Sequence, residues 1–316
     1  MNPKNRDRLK VGVIGVGWHS RTSHLPALSR CASEGPDGVE LTALCDLDLQ
    51  KARRCADEFG FRRAYGSADQ MLDTESLDAC VAITPMDFTT ECALDLIERG
   101  IPALIEKPPG RTLEEARSIA RAAGQSGVPV MVSVNRRFEP GMQDALDWLE
   151  ERPLTYLRAV TARGNRTEPR FLTETGIHSV DAVRALGGEV AAWDHRRTTA
   201  AGAAWFDLRF EFESAALGAL QVLPTAGHTV ERYEVFGDNW HGLVESGTHG
   251  SAAFTAWEDG ERVIHAHPPA DSPRFVLDGT YSETRSFLEA LLCGDVPHPT
   301  PDEVLASVEI CHRCLG

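Results

Sequence analysis

Lysine is nearly missing from this sequence. Only Lys4, Lys10, Lys51 and Lys107 occur among 32 basic residues, so positive charge is carried almost wholly by arginine. Positive charge is itself scarce: 47 acidic residues leave a formal net charge of -15. That charge repels a phosphate backbone and no Lys/Arg cluster offsets it, so nucleic acid is excluded as a partner. No apolar run approaches the roughly 20 residues needed to span a bilayer. The opening MNPKNRDRLK is polar, with no apolar segment behind it, so neither a membrane segment nor a secretory leader is expected and the protein is read as cytoplasmic. Eight cysteines, scattered over predicted helices and strands, read as small buried hydrophobes rather than a disulfide framework. CHRC, Cys311 to Cys314, is the one close pair, and without a second Cys/His pair at zinc-ligand spacing no metal centre is expected. Internal repeats and low-complexity segments are also missing.

What is present is a chain of 316 residues, 42% hydrophobic, long enough for a full core and for about two domains. From Lys10 to Val134 short apolar runs alternate with amphipathic stretches. KVGVIGVG, VELTALCD, LDACVAITP, IPALIEKP and VPVMVSVN read as strands, because they are rich in Val, Ile and Leu and bounded by turn residues. DLQKARRCADEFG, TTECALDLIERG and TLEEARSIARAAGQSG between them read as helices, with apolar residues at helical spacing and a closing Gly. Such alternation predicts a parallel sheet covered by helices on both faces. After about Phe138 the pattern changes. GMQDALDWLEE and a segment from about Thr175 to Leu186 read as helices, and LTYLRAVTAR, WFDLRFEFE, AALGALQVLP, RYEVFGDN and WHGLVES as a largely antiparallel sheet. TYSETRSFLEALLCG and TPDEVLASVEICHRCL close the chain as helices. The expected fold class is α/β: a nucleotide-type domain over 1–134, then an α+β domain over 135–316.

VGVIGVGWHS places Gly15 and Gly17 where a predicted strand meets a helix. In a dinucleotide fold the first glycine makes the tight turn and the second lets backbone approach a pyrophosphate on the helix N-terminus. Ser20 stands at the third glycine position, where small size serves close packing. Trp18 falls within the same loop. A plain strand-to-loop turn also accounts for a bare Gly-x-Gly. Asp46 ends the second predicted strand, where a carboxylate accepts hydrogen bonds from ribose hydroxyls and repels a 2′-phosphate, favouring NAD over NADP. Alternatively, Asp46 caps the helix that follows. The long gap between Gly17 and Asp46 reads as a loop insertion, CASEGPDG. Lys107 lies at the carboxyl end of the strand in IPALIEKP, where open α/β sheets bind ligands. Lysine can shift its pKa when partly buried and hydrogen-bond a substrate oxygen, which the permanently charged, bulkier arginine does poorly. The competing view is an exposed strand end stopped by Pro108 and Pro109.

Together GVIGVG with Asp46, Thr84–Pro85, GIPALIEKP and ETGIHSVDAVRALGG resemble the Gfo/Idh/MocA family of NAD(P)-dependent oxidoreductases, along nearly the whole chain and in the expected order. The resemblance implies a Rossmann domain joined to an α+β domain built on a large open sheet. It also implies oxidation or reduction at a hydroxyl or keto carbon of a sugar, inositol or related polyol, and homodimers or homotetramers formed through that sheet. Glu106, Lys107, Thr84 and Pro85 match cofactor-side positions, and Lys107 is implied to touch both cofactor and reacting hydroxyl. His178 matches a general acid/base, and Glu174 stands where the family often has an aspartate. Asp181 lies on the same helix on the substrate side, expected to orient its surroundings, and Arg137 of NRRFEP falls near the cleft. Thr89 stands where a histidine is common. On the residues alone, His178 and Asp181, three apart on a helix, are equally a surface histidine–carboxylate pair.

The expected function is thus hydride transfer between NAD and a carbohydrate-like carbinol, with Lys107 polarising the oxygen and His178 accepting its proton. Two alternatives stay open: a reductase of another carbonyl or an imine, and a catalytically impaired NAD-binding regulator.

Overall fold

The structure, a computed structural model, describes residues 8–36, 38–248 and 250–315. The N-terminal segment up to Asp7, read above as polar, lies outside them, as does Asp37 of the predicted insertion. The chain forms two compact units, 8–134 with Thr280–Ala306, and Asn135–Gly279 with 307–315.

In the first unit the elements are β1 (Leu9–Ile14), α1 (Leu25–Glu34), β2 (Val39–Cys45), α2 (Leu49–Phe59), β3 (Arg63–Tyr65), α3 (Ala68–Thr74), β4 (Ala79–Ala82), α4 (Met86–Glu98), β5 (Ala103–Glu106), α5 (Leu113–Ser126) and β6 (Val130–Ser133). The six strands pair in parallel in the order β3-β2-β1-β4-β5-β6, the doubly wound Rossmann arrangement. Every residue of β4, β5 and β6 is buried, which is why these strands read as continuous apolar runs: helices cover both faces. Local signals set the helix ends. Asp48 caps α2 by accepting the Lys51 N–H at 3.0 Å, and Thr112 with Glu115 forms a capping box on α5.

The second unit holds α6 (Pro140–Leu149), β7 (Tyr156–Ala162), α7 (Ile177–Gly187), β8 (Val190–Ala200), β9 (Ala203–Phe212), β10 (Leu217–Leu223), β11 (Val230–Gly237), β12 (Trp240–Glu245), β13 (Phe254–Glu258), β14 (Glu261–Ala266) and the short α8 (Arg274–Leu277). Its strands form one eight-stranded sheet, order β14-β13-β12-β11-β7-β10-β9-β8. Among the described residues β7 and β10 are its parallel neighbours and the remaining pairs are antiparallel. Alternate side chains such as Leu157, Leu208, Leu220, Tyr233, Val235 and Val244 are wholly buried under α6 and α7.

Two more helices complete the chain, α9 (Thr280–Cys293) and α10 (Pro301–Leu315). Here the observed organisation differs from a single break before residue 135. Helix α9 returns to the first unit and packs on α1, burying Thr284, Phe287 and Leu288, with the Arg30 guanidinium 4.9 Å from the Tyr281 ring centroid. Four strands also go beyond the sequence reading. β3 has three residues, too few to show a period. β8 is a largely exposed edge strand, while β13 and β14 form the opposite, hairpin edge. Among the described residues no helix is long and apolar enough to cross a membrane.

Candidate functional site

Beyond the end of β1 the backbone turns at Gly15, with φ +93°, and a Cβ there would stand 2.2 Å from the Ile83 carbonyl oxygen. No other residue fits that turn without moving β4's continuation. At Gly17 a Cβ would meet no protein atom within 4 Å, so protein packing does not demand glycine there, and the backbone is bare beside the helix start. Helical structure begins at Trp18, whose side chain is 60% exposed, while Ser20 is fully buried, consistent with the small residue expected at the third position. The Val16 N–H donates to Asp46 Oδ2 at 2.8 Å, tying the glycine loop to the tip of β2.

Asp46 also accepts the Asp48 N–H at 3.0 Å and the Lys51 ammonium at 2.9 Å. Burial alone would raise its carboxyl, but these bonds outweigh burial and hold it below the ordinary carboxylate range. The capping alternative for Asp46 does not hold, because α2 is capped by Asp48. Past β4, Thr84 and Pro85 lead into α4. The buried Thr89 hydroxyl turns back to the Pro85 carbonyl at 3.4 Å and lies 3.3 Å from the Thr84 hydroxyl, so this threonine braces the helix start.

Lys107 is the first residue past β5, half-buried, at the carboxyl edge of the sheet. Its neighbour Glu106 is buried and pairs with Ser133 of β6. One Glu106 oxygen, Oε1, lies 3.1 Å from His24 Nε2 and 3.2 Å from His19 Nε2. Burial would raise the Glu106 carboxyl, yet the two imidazole contacts prevail and hold it well below the usual range. Sequence reasoning missed both histidines.

The second unit carries the other predicted residues. Glu174 lies in a π-helical turn, Leu172–Gly176, that runs directly into α7. His178 is half-buried in the first turn of α7. Asp181 is fully buried, and Arg137 grips it bidentately through Nε at 2.6 Å and Nη2 at 2.8 Å. The Ser307 hydroxyl donates to Asp181 Oδ1 at 3.1 Å. A surface histidine–carboxylate pair is therefore ruled out, and direct substrate contact does not suit so enclosed a carboxylate. Asp181 instead ties α7 to the turn of Arg137. Cys311 and Cys314 are both buried free thiols.

The family model described as "Oxidoreductase family, NAD-binding Rossmann fold" (GFO_IDH_MocA) matches residues 9–134. The chain is 28% identical to inositol 2-dehydrogenase 2 of Saccharopolyspora erythraea, over 97% of this chain and 92% of that protein. It is 31% identical to D-apiose dehydrogenase of Paraburkholderia graminis over 58% of this chain, a match that spans about half (51%) of that protein. A dehydrogenase from Chromobacterium violaceum shares the fold, with TM-score 0.86 at 20% identity, covering 97% of this chain and 94% of that one.

Proposed function

Because the chain belongs to the Gfo/Idh/MocA family of NAD-binding oxidoreductases, we propose that it is a cytoplasmic dehydrogenase moving hydride between NAD and a hydroxyl carbon of a sugar, inositol or related polyol. The observation that carries this reading is the glycine loop fastened to Asp46 in a Rossmann sheet. Gly17 leaves bare backbone at a helix start, suited to a pyrophosphate, and Asp46 stands where ribose hydroxyls are read. The named relatives act, by their names, on inositol and D-apiose, which supports a polyhydroxylated substrate.

When bound, NAD supplies the hydride acceptor. Lys107 donates a hydrogen bond to the reacting oxygen and stabilises the charge that gathers there. His178 takes the hydroxyl proton. Glu174, one helical turn earlier in sequence, steers the imidazole or the substrate, and Arg137 with Asp181 fixes the helix that carries it. Cofactor contacts are assigned to Gly15, Gly17, Trp18, Ser20, Asp46, Thr84, Pro85 and Glu106. We further assign self-association, as a homodimer or homotetramer, to the open face of the second unit's sheet.

The test is titration with NAD and NADP by fluorescence, followed by a panel of polyols, keto-sugars and imines read by reduced-nicotinamide absorbance. NAD binding with turnover of at least one polyol is expected. Turnover confined to another carbonyl or imine, or binding without any turnover, would replace this reading.

A further inference from the structure

We propose that His19, His24 and Glu106 form a binding site for a divalent d-block cation of the zinc type. Two imidazoles and one carboxylate are a donor set that holds zinc and leaves a fourth position open. The three donor atoms all lie within 4.8 Å of one another, and both Nε2 atoms stand 3.1–3.2 Å from the same Glu106 oxygen. Metal–ligand bonds of about 2.0–2.1 Å in tetrahedral geometry place donors roughly 3.3 Å apart, so only small side-chain shifts are needed.

The local backbone supplies an independent reason. His19 and His24 are five residues apart, and on a regular α-helix that spacing points them about 140° away from each other. Ser20–His24 is instead a π-helical turn, whose i→i+5 bonding widens the helix and returns the fifth residue to the same side, a device common at functional sites. The rings meet edge to face with centroids 5.0 Å apart. His24 is fully buried and Glu106 nearly so, whereas the His19 side chain is 41% exposed, leaving an approach for the ion and room for a solvent ligand.

Two imidazole N–H groups donating to one carboxylate would produce similar distances, and metal binding separates the cases because it needs both nitrogens deprotonated. The test uses the full chain, stripped with chelator, without substrate or nucleotide, so it is independent of the dehydrogenase reading. Co²⁺ is titrated by visible absorption and Zn²⁺ by calorimetry. The wild type is expected to bind one equivalent with the intense absorption of low-coordinate Co²⁺. His19→Gln, a change at a half-exposed side chain, should lose that equivalent and that spectrum. His265→Gln should keep both, since the exposed His265–His267 pair is the rival surface site. A wild type without stoichiometric binding, binding unchanged in His19→Gln, or loss in His265→Gln would each overturn the proposal.

Discussion

Asp46 is held by its neighbours before any nucleotide arrives. Lys51, one of four lysines, places its ammonium 2.9 Å from Asp46, so the carboxylate that should repel a 2′-phosphate already sits beside a cation able to attract one. Asp46→Ser should therefore act twice, removing an acceptor for the ribose hydroxyls and releasing Lys51. The ratio of NADP to NAD affinity should rise about tenfold or more, on the scale of a charge-assisted hydrogen bond, as read by fluorescence titration. Adding Lys51→Met to Asp46→Ser should erase most of that gain, and a wild type that already prefers NADP would remove Asp46 from its assigned role. Lys107 poses a different question, because charge alone is cheap in a chain full of arginine. If its shape and proton lability matter, Lys107→Arg should lower turnover by about 10²–10⁴-fold, the range for positioned acid/base groups, with the NAD dissociation constant little changed. Near-normal turnover of Lys107→Arg would reduce Lys107 to a positive charge at a strand end.

Buried charges also join elements within the second unit. Arg136, in the turn before α6, reaches Glu231 of β11 at 2.8 Å, and Arg163, just past β7, reaches the same carboxylate at 2.6 Å. Glu139 starts α6 and accepts bonds from the Ser246 hydroxyl, the Gly247 N–H and the Thr248 hydroxyl at 2.9–3.0 Å. Burial pushes both carboxyls up. At Glu231 the two guanidinium groups outweigh it and the pKa falls, whereas at Glu139 burial and the nearby Glu231 charge prevail and the pKa rises. The signs are opposite. Glu231 contributes stability present above its unfolded pKa and lost as pH falls through its folded one. Glu139 contributes stability present below its unfolded pKa and lost as pH rises through its folded one. Urea unfolding should show Glu231→Gln destabilised by about 3–5 kcal/mol near neutrality, because two buried cations lose their partner. Glu139→Gln should instead flatten the decline in stability as pH rises from acid toward neutral. Little of this network was legible in the sequence, where Arg136, Arg163 and Glu231 look like solvated charges. The six-stranded sheet's longer strands were legible, because a strand buried on both faces must be an apolar run, and so were the positions of Gly15, Asp46 and Lys107 directly after strand ends. His19 and His24 were not, since helical spacing separates them until the π turn intervenes. The return of α9 was hidden for a similar reason: an amphipathic pattern records that one face is buried, not which unit buries it.

At the scale of the whole molecule, the open face of the eight-stranded sheet raises the question of self-association. Helices α6 and α7 cover one face of that sheet, and the other displays Tyr156 at 39% and Leu217 at 49% exposure. It also carries a cross-strand stack in which His241 lies between Phe236 and Trp257, with ring centroids 4.5 and 5.0 Å away and planes within 12°. Exposed apolar side chains grouped in this way favour contact with another surface, and two copies meeting through the same face would close as a symmetric dimer without an open end. The formal charge of -15 on each chain opposes that approach at long range, but at physiological salt the repulsion is screened beyond about 8 Å, while apolar contact is not. Light scattering at micromolar protein in such salt should therefore report at least a dimer. Leu217→Asp combined with Trp257→Asp should bring the mass to that of one chain, with far-ultraviolet dichroism and NAD affinity retained, because both side chains lie outside the second unit's core and neither belongs to the unit that carries the glycine loop. A wild type that scatters as a single chain under these conditions would show that this face is not where copies of the chain meet.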